Sequence, residues 1–173
     1  GPGARLTALA NGTGAEAEVE GDAVLLRQVL WNLLLNACQA VQASTVRRVE
    51  LDLVTEMDRV GIAVRDSGPG IAPEDQPHLF EPFYTTRGEG TGLGLATVQR
   101  HVAAHRGEVI AKARAELGGA EFRVWLPRVH GASGFSTSTC LPAVSAAVAS
   151  GWWVKIGVAI TTASTSGSAS TAA

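Results

Sequence analysis

The sequence predicts an α+β fold, a two-layer sandwich in which a mixed, mostly antiparallel sheet carries helices on one face. Three observations lead to this prediction. Short segments that alternate apolar and polar residues come in adjacent pairs, as they do in β-hairpins. Only two long segments have the spacing of an amphipathic helix. Strand pairs interspersed with so few helices are typical of a sheet that packs its helices on one face.

The first half of the chain contains two strand candidates, a long helix and a hairpin. The strand candidates are RLTAL and AEVEG, and the helical segment runs from Asp22 to Ala43. The segments RRVELDLVTE and RVGIAVRD alternate on either side of the short turn Met57-Asp58, which predicts a hairpin. A glycine-rich region without periodicity then runs from Ser67 to Gly94. We expect this region to be irregular.

The second half begins with another helix and ends with another hairpin. Residues from Leu95 to His105 have helical spacing, and Gly107 is placed to end that helix. The segments EVIAKARA and AEFRVWLP flank ELGG, a pattern that predicts a closing hairpin. These elements complete the predicted sandwich within residues 1–130.

Residues 131–173 differ in composition from the rest of the chain. They are rich in Ser, Thr, Ala and Gly, with a single Lys and no acidic residue. The apolar stretch LPAVSAAVASGWWVKIGVAITTA is interrupted by Lys155. Its uninterrupted part is shorter than the roughly 20 residues that a membrane span needs. We therefore predict a low-complexity, disordered tail after a domain at 1–130.

The overall composition excludes several classes of function. The 173 residues, 46% of them hydrophobic, can bury one core of ordinary size. A net charge of -2 offers no basic surface for nucleic acid or for an anionic membrane. Two cysteines are too few for a disulfide framework, and Cys38 lies in a helical apolar pattern. A reducing compartment fits this pattern.

A stripe of side-chain amides runs along the first helix. Gln28, Asn32, Asn36 and Gln39 are spaced by 4, 4 and 3 residues, so they share one face. The opposite, core-facing stripe consists of Leu26, Leu30, Leu33, Ala37 and Val41. Amides among leucines need partners, which could be a ligand, solvent or other groups of the chain. Amide oxygens suit a hard cation such as Mg²⁺ shared with nucleotide phosphates.

An acidic residue ends the second strand of the first hairpin. Every second residue from Val60 to Val64 is apolar, and Asp66 has the same parity, so its carboxylate is directed toward the core. A buried acid should accept hydrogen bonds from a specific donor. Gly68 and Gly70 follow and allow close approach of a ligand. Asp66 could receive the amine of a purine, or it could simply cap the turn.

The stretch GEGTGLGLA, residues 88–96, precedes the second helix. It is not a P-loop, because the first lysine of the chain is Lys112. It is not a dinucleotide fingerprint either, because Leu93 and Leu95 stand where the third glycine is needed. A glycine segment at a helix N-terminus nevertheless attracts anions, and Arg87 adds a positive charge.

Taken together, these motifs resemble the ATP-binding catalytic domain of bacterial sensor histidine kinases. Their superfamily also contains DNA gyrase, the mismatch-repair ATPases and the heat-shock chaperone ATPases. LRQVLWNLLLNACQAV resembles the asparagine box, DSGPGI the first glycine box, LFEPFYTT the phenylalanine box, GTGLGLA the second glycine box and GGAEFRVWLP the last. The resemblance covers about residues 5–128. The sequences of these motifs are most similar to those of the nitrogen-regulatory subgroup.

The resemblance implies a role for each motif residue. Asn36 would coordinate Mg²⁺, Asn32 would lie beside the phosphates at the reacting end, and Asp66 would bind the adenine amine of ATP. Phe80 and Phe83 would anchor a lid that folds over the triphosphate. The remaining implied contacts to the nucleotide are Gln39, Gly68, Gly70, Arg87, Gly90, Thr91, Gly92, Leu93 and Gly94.

The asparagine box also bears on the reaction. In the hydrolytic members of the superfamily that the chain resembles, a Glu lies four residues before the metal-binding Asn and acts as the general base for water. Asn32 stands there, and an amide cannot accept a proton at neutral pH. The resemblance therefore implies a protein histidine kinase fragment whose phosphoacceptor lies on a separate dimerisation domain that would precede it and is missing from this chain.

The implied partners are that domain and, indirectly, a response regulator, with no nucleic acid. We expect a location in the cytoplasm or at the cytoplasmic face of a membrane-bound sensor, with membrane contact only through missing regions. Two alternatives stay open, an anti-sigma-type serine kinase of the same superfamily and an ATP-binding module without catalysis. His101 and His105 have the spacing of a zinc pair but lack its Glu and third ligand.

Overall fold

The computed structural model describes residues 4–9, 16–88, 90–114, 118–128, 153–156 and 160–163. The helices are α1 (Ala23–Ala40), α2 (Gly94–Ala104) and a short 3-10 helix at Gln76–His78. The strands are β1 (Ala4–Leu9), β2 (Glu16–Gly21), β3 (Arg48–Thr55), β4 (Arg59–Asp66), β5 (Glu108–Ala113), β6 (Ala120–Pro127), β7 (Trp153–Ile156) and β8 (Ile160–Ala163).

The main sheet has the strand order β5-β6-β4-β3-β7. The pairs β5–β6, β6–β4 and β4–β3 are antiparallel, and β3–β7 is parallel. Both predicted hairpins are present, and β1 and β2 also pair with each other, next to β8. The prediction of a mixed, mostly antiparallel sheet is confirmed.

The two long helices pack against each other and onto the main sheet, where α1 contacts β4 and α2 contacts β5. The apolar stripe predicted for α1 is buried in full, since none of its five residues is more than 2% exposed. It forms one core cluster with alternate residues of the central strands, among them Val60, Ile62, Val64, Phe122 and Val124. The two-layer sandwich is therefore confirmed.

The start of α1 is joined to the end of α2. Asp22 caps α1, because its Oδ1 accepts hydrogen bonds from the backbone N–H of Val24 at 2.8 Å and of Leu25 at 3.2 Å. The N–H of Asp22 donates to Nε2 of His105 at 2.9 Å. Nδ1 of His105 lies 2.6 Å from the carbonyl oxygen of His101. His105 therefore has a structural role at the junction of the two helices.

Both helices end close to the predicted residues. The helix predicted to reach Ala43 ends at Ala40, because a tight turn follows in which the N–H of Gln42 donates to the carbonyl of Gln39. In α2, Arg106 takes a φ of 56°, and the N–H of Gly107 donates to the carbonyl of Val102 at 2.9 Å. This bond closes the C-terminal turn.

Strands β7 and β8 belong to the part of the chain that the sequence predicts to be a disordered tail. They lie against β3 and β1, where edge strands present unpaired N–H and C=O groups. The rest of 131–173 lies outside the described residues, so its predicted disorder stays a prediction. Within the described part of the chain, no helix combines the length and apolar character needed to cross a bilayer.

Candidate functional site

A cavity of about 510 Å³ opens between α1, the end of β4 and the loop that leads into α2. Most of the residues predicted to contact a nucleotide line it, namely Asn32, Asn36, Gln39, Asp66, Gly70, Arg87, Gly90, Thr91, Gly92, Leu93 and Gly94. Three others, Gly68, Phe80 and Phe83, lie beside the cavity without lining it. The fold thus gathers segments that are far apart in the sequence around one space.

The amide stripe of α1 forms one wall of the cavity. Gln28, Asn32, Asn36 and Gln39 all line it, with the two asparagines half-buried and the two glutamines exposed. The Nδ2 group of Asn32 donates to the carbonyl of Gly94 at 3.4 Å and so joins this wall to the start of α2. The stripe is a site wall rather than a general solvent face.

Asp66 lies at the inner end of the cavity and is 3% exposed. Its Oδ1 accepts two backbone hydrogen bonds, from the N–H of Gly68 at 2.8 Å and from the N–H of Ala120 at 3.2 Å. These bonds hold the carboxylate in a single orientation and involve Oδ1 alone. The expectation of a buried acid with specific donors is confirmed.

The charge on Asp66 is costly to maintain. Burial raises the pKa of this carboxyl, while the bonds from Gly68 and Ala120 act in the opposite direction, as does the positive charge of Arg87. The net direction is upward. A further hydrogen-bond donor that enters the cavity would therefore stabilise the charged form of Asp66.

The glycines around Asp66 are required by close contacts. A Cβ at Gly68 would lie 2.9 Å from the carbonyl oxygen of Ala40, and Gly70 has a φ of +87°. Gly119 has a φ of +85°, and a Cβ there would overlap the carbonyl group of Asp66. Without a side chain, Gly68 can pack against Ala40 while its N–H donates to the carboxylate of Asp66.

The loop between β4 and α2 covers the other end of the cavity. The N–H of Phe83 donates to the carbonyl of Gly92 at 3.0 Å and closes the base of this loop. Gly92 has a φ of +66°, and a Cβ there would overlap the backbone of Phe83. We call the described residues 84–88, 90 and 91 the lid loop. Arg87 and Gly90, two of the residues predicted to fold over a triphosphate, lie in this loop.

The two phenylalanines meet the loop in different ways. Phe80 is half-buried and packs against the core cluster. The side chain of Phe83 is 75% exposed, and its φ of 68° is unusual for a residue with a side chain. Phe83 therefore contacts the loop through its backbone, and the predicted anchoring of a lid by Phe80 and Phe83 stays a prediction.

Arg87 extends from the lid loop to α1. Its Nη1 donates to Oδ1 of Asn36 at 3.0 Å and to Oε1 of Gln39 at 2.8 Å, and its Nη2 lies 3.4 Å from the carbonyl oxygen of Asn36. The partners of these two amides therefore lie within the chain, which is one of the arrangements that the sequence left open.

Sequence reasoning missed part of the cavity wall. Asp75 and Tyr84 both line it, and the Tyr84 hydroxyl donates to Oδ1 of Asp75 at 2.6 Å. This hydrogen bond raises the pKa of Tyr84. The backbone N–H of Ala120 was missed as well, because it belongs to a hairpin 54 residues beyond Asp66. Periodicity carries no signal for such a contact.

The histidine pair of α2 is not arranged as a metal site. Nε2 of His105 accepts from the backbone of Asp22, and His101 is buried, which lowers its pKa. Across the described ranges, no group of three or more His, Cys, Asp and Glu side chains is placed to hold a metal ion.

Residues 21–130 match a protein family described as histidine kinase-, DNA gyrase B-, and HSP90-like ATPase. The chain belongs to this family. The match begins at the last residue of β2 and runs past the end of β6, so it contains the whole cavity. The domain is thus an ATP-binding domain of the histidine kinase type, as the sequence predicted.

Sequence relatives support this assignment. The sensor histidine kinase ZraS of Salmonella typhimurium is 44% identical over 109 residues, which are 63% of this chain and 23% of ZraS. The signal transduction histidine-protein kinase AtoS of Escherichia coli is 41% identical over 91 residues, 53% of this chain and 15% of AtoS. The chain thus spans less than a quarter of the length of these relatives. Its assignment to the nitrogen-regulatory subgroup stays a prediction.

Solved structures agree with the sequence relatives. A mycobacterial sensor histidine kinase, MprB, matches with a TM-score of 0.59 and 29% identity, covering 65% of this chain and 76% of that structure. Full-length ShkA in complex with AMPPNP matches with a TM-score of 0.56 and 38% identity, covering 68% of this chain and 24% of ShkA. Members of the family therefore share this sandwich.

We predict that Gly119→Ala destabilises the domain by about 2–4 kcal/mol, because positive φ strains alanine and the new methyl group displaces the Asp66 carbonyl. Chemical denaturation measures the change. Gly118→Ala is a matched control, since Gly118 also has positive φ (+65°) but its Cβ would lie 3.7 Å from the nearest atom, the Gly68 carbonyl oxygen. Equal losses in both variants would contradict the role given to the contact with Asp66.

We predict that Asp66→Asn raises the free energy of unfolding at neutral pH. The raised pKa means that the folded state binds a proton at Asp66 more readily than the unfolded state does. The stabilising contribution of Asp66 is therefore present in acid and lost as pH rises through the raised pKa. Denaturation at several pH values should show a small difference between variant and parent in acid and a growing one toward neutrality. A variant less stable than the parent at pH 7 would contradict this.

Proposed function

We propose that this domain binds Mg²⁺-ATP in the cavity and donates the γ-phosphate to a histidine on a separate dimerisation domain, as the catalytic part of a two-component sensor kinase. The observation that carries the proposal is the joint lining of one cavity by Asp66, by the amides of α1 and by the lid loop. The family of the domain and the names of its relatives support the same reaction.

The adenine would lie at the inner end, against Asp66. Because Gly68 and Ala120 already donate to Oδ1, Oδ2 is left to accept a hydrogen bond from the exocyclic amine of the base. The neighbouring wall is apolar, with Ile71 and Phe122 among the lining residues. A purine with an exocyclic amine matches this combination of a fixed acceptor and apolar sides.

The Mg²⁺ would be held at Asn36, on the α1 wall of the cavity. The Oδ1 of Asn36 and the Oε1 of Gln39 both accept from the guanidinium of Arg87, so the oxygens of this corner already hold a cation. Amide oxygens fit Mg²⁺, whose remaining ligands in nucleotide sites are phosphate oxygens and water. The bound ion would neutralise phosphate charge during transfer.

The phosphates would lie at the start of α2. Leu93, the N-cap residue, makes no side-chain capping bond, and the cavity is lined by Gly90, Gly92 and Gly94. Uncapped N–H groups and the helix dipole attract anions at this position. Arg87 would add a positive charge from the lid loop.

The site contains no carboxylate where water would need a general base. Asn32 occupies that position, half-buried and bonded to the carbonyl of Gly94. An amide positions a phosphate but does not take a proton from water. An imidazole is a competent nucleophile by itself, so this arrangement favours transfer to a protein histidine over hydrolysis. We propose a cytoplasmic site of action, with a response regulator as the final acceptor.

We predict that Asp66→Asn weakens ADP binding about tenfold or more, because the amide of Asn presents a donor to the donor amine of adenine. Isothermal titration with ADP and with adenosine measures this, and both ligands should lose affinity by a similar factor. Asp58→Asn, at an exposed position in the β3–β4 turn, is the control. An unchanged affinity for adenosine would contradict the assignment of Asp66 to the base.

We predict that, with γ-labelled ATP and Mg²⁺, the protein phosphorylates an added histidine-containing dimerisation domain from a related sensor kinase. The label should be stable in base and labile in acid, as expected for phosphohistidine. Asn36→Ala should abolish the transfer. Acid-stable label on serine would indicate the anti-sigma type of kinase instead. ATP binding without transfer to any such domain would leave a nucleotide-binding module and refute the kinase assignment.

A further inference from the structure

The guanidinium of Arg87 occupies the corner assigned above to the metal. It makes three contacts to α1, two of them to side-chain oxygens of residues that are one helical turn apart, Asn36 and Gln39. Arg87 lies 51 residues from Asn36 along the chain, so these bonds tie the lid loop directly to α1. The lid loop therefore has a specific docking point on α1.

A guanidinium and a metal ion are competing partners for this amide. The Oδ1 of Asn36 has two lone pairs, but two positive groups on one oxygen would lie about 4 Å apart or less and would repel each other strongly. Binding of Mg²⁺ at Asn36 therefore requires Arg87 to leave.

The local structure around Arg87 lets it move as a unit. Oγ1 of Thr85 accepts from the N–H of Arg87 and donates to its carbonyl, both at 3.1 Å, which makes a small closed turn. Gly88 follows, and a Cβ there would meet nothing within 4 Å. The base of the loop is closed independently by the Phe83–Gly92 bond. Release of the guanidinium can thus free the tip without opening the base.

We propose that Arg87 is the resident cation of the Asn36–Gln39 pair and that it exchanges with Mg²⁺ at Asn36. In the nucleotide-free protein it holds the lid loop on α1 and keeps the amide oxygens oriented. When Mg²⁺ and a nucleotide bind, Arg87 leaves this pair, and its guanidinium becomes available to the γ-phosphate, a group that ADP lacks. This inference rests on the proposed Mg²⁺-ATP site and adds a positioning role, in which lid release is coupled to the metal.

Amide hydrogen exchange in the nucleotide-free protein tests the first half of the inference. Arg87→Ala should speed exchange in residues 84–91 by about three- to tenfold, the range for one charge-assisted bond near solvent. Gln39→Ala should give part of this increase and add nothing in the Arg87→Ala background. Arg100→Ala, an exposed arginine of α2 outside the cavity, is the matched control. Unchanged exchange in Arg87→Ala, or additive effects of the two substitutions, would overturn the proposal.

The effect of the metal on ADP affinity tests the second half. The ratio of the Kd for ADP without Mg²⁺ to the Kd with saturating Mg²⁺ should be about three- to tenfold larger in Arg87→Ala than in the parent, because the metal no longer displaces an arginine. A purely structural role would change both Kd values by the same factor. A ratio that is unchanged or smaller in the variant would refute the exchange.

Failure of this inference can be told apart from failure of the proposed function. Adenosine carries no phosphate or metal, so its affinity should be the same in Arg87→Ala as in the parent. If the parent binds neither adenosine nor ADP, the proposed function fails, whereas the exchange experiment still decides whether Arg87 holds the lid loop. If the parent binds both and Arg87→Ala changes neither loop exchange nor the metal ratio, the role of Arg87 fails alone.

Discussion

The carboxylate of Asp66 sets the positions of three chain segments at once. It ends β4, and its Oδ1 accepts from the N–H of Gly68 in the following turn and of Ala120 at the start of β6. A buried charge is tolerated when such donors compensate it. The glycines at 68, 70 and 119 follow from this contact, because backbone must pass closer to the carboxylate and its turn than a Cβ allows. The inner end of the cavity is therefore closely packed and hydrogen-bonded.

The outer end of the cavity is built differently. Its groups are the exposed or half-buried amides of α1 and the guanidinium of Arg87, whose bonds are exchangeable with water and ions. A closely packed end suits recognition of a base, since the geometry of one hydrogen bond decides the ligand. Under the proposed function, exchangeable bonds at the other end suit the phosphates and the metal, which enter and leave the site with the nucleotide.

The family shares its fold among enzymes with different acceptors, so the acceptor is decided by single positions in the site. Under the proposed function, Asn32 would be such a position, because an amide in place of a carboxylate provides no general base for water. The apolar stripe of the same helix, from Leu26 to Val41, is buried. In this proposal, the reaction type and the fold depend on opposite faces of α1.

The sequence by itself determined the elements, the buried face of α1 and the parity that buries Asp66, because these depend on the local periods of helix and strand. It also identified the motifs, whose order carries the family resemblance. Only the tertiary structure decided which atoms meet: that Ala120 donates to Asp66, that Phe83 holds the loop through its backbone, that Tyr84 pairs with Asp75, and that Arg87 reaches Asn36 and Gln39. These contacts join residues that are far apart in the chain or depend on the path of one loop, and no local period constrains either.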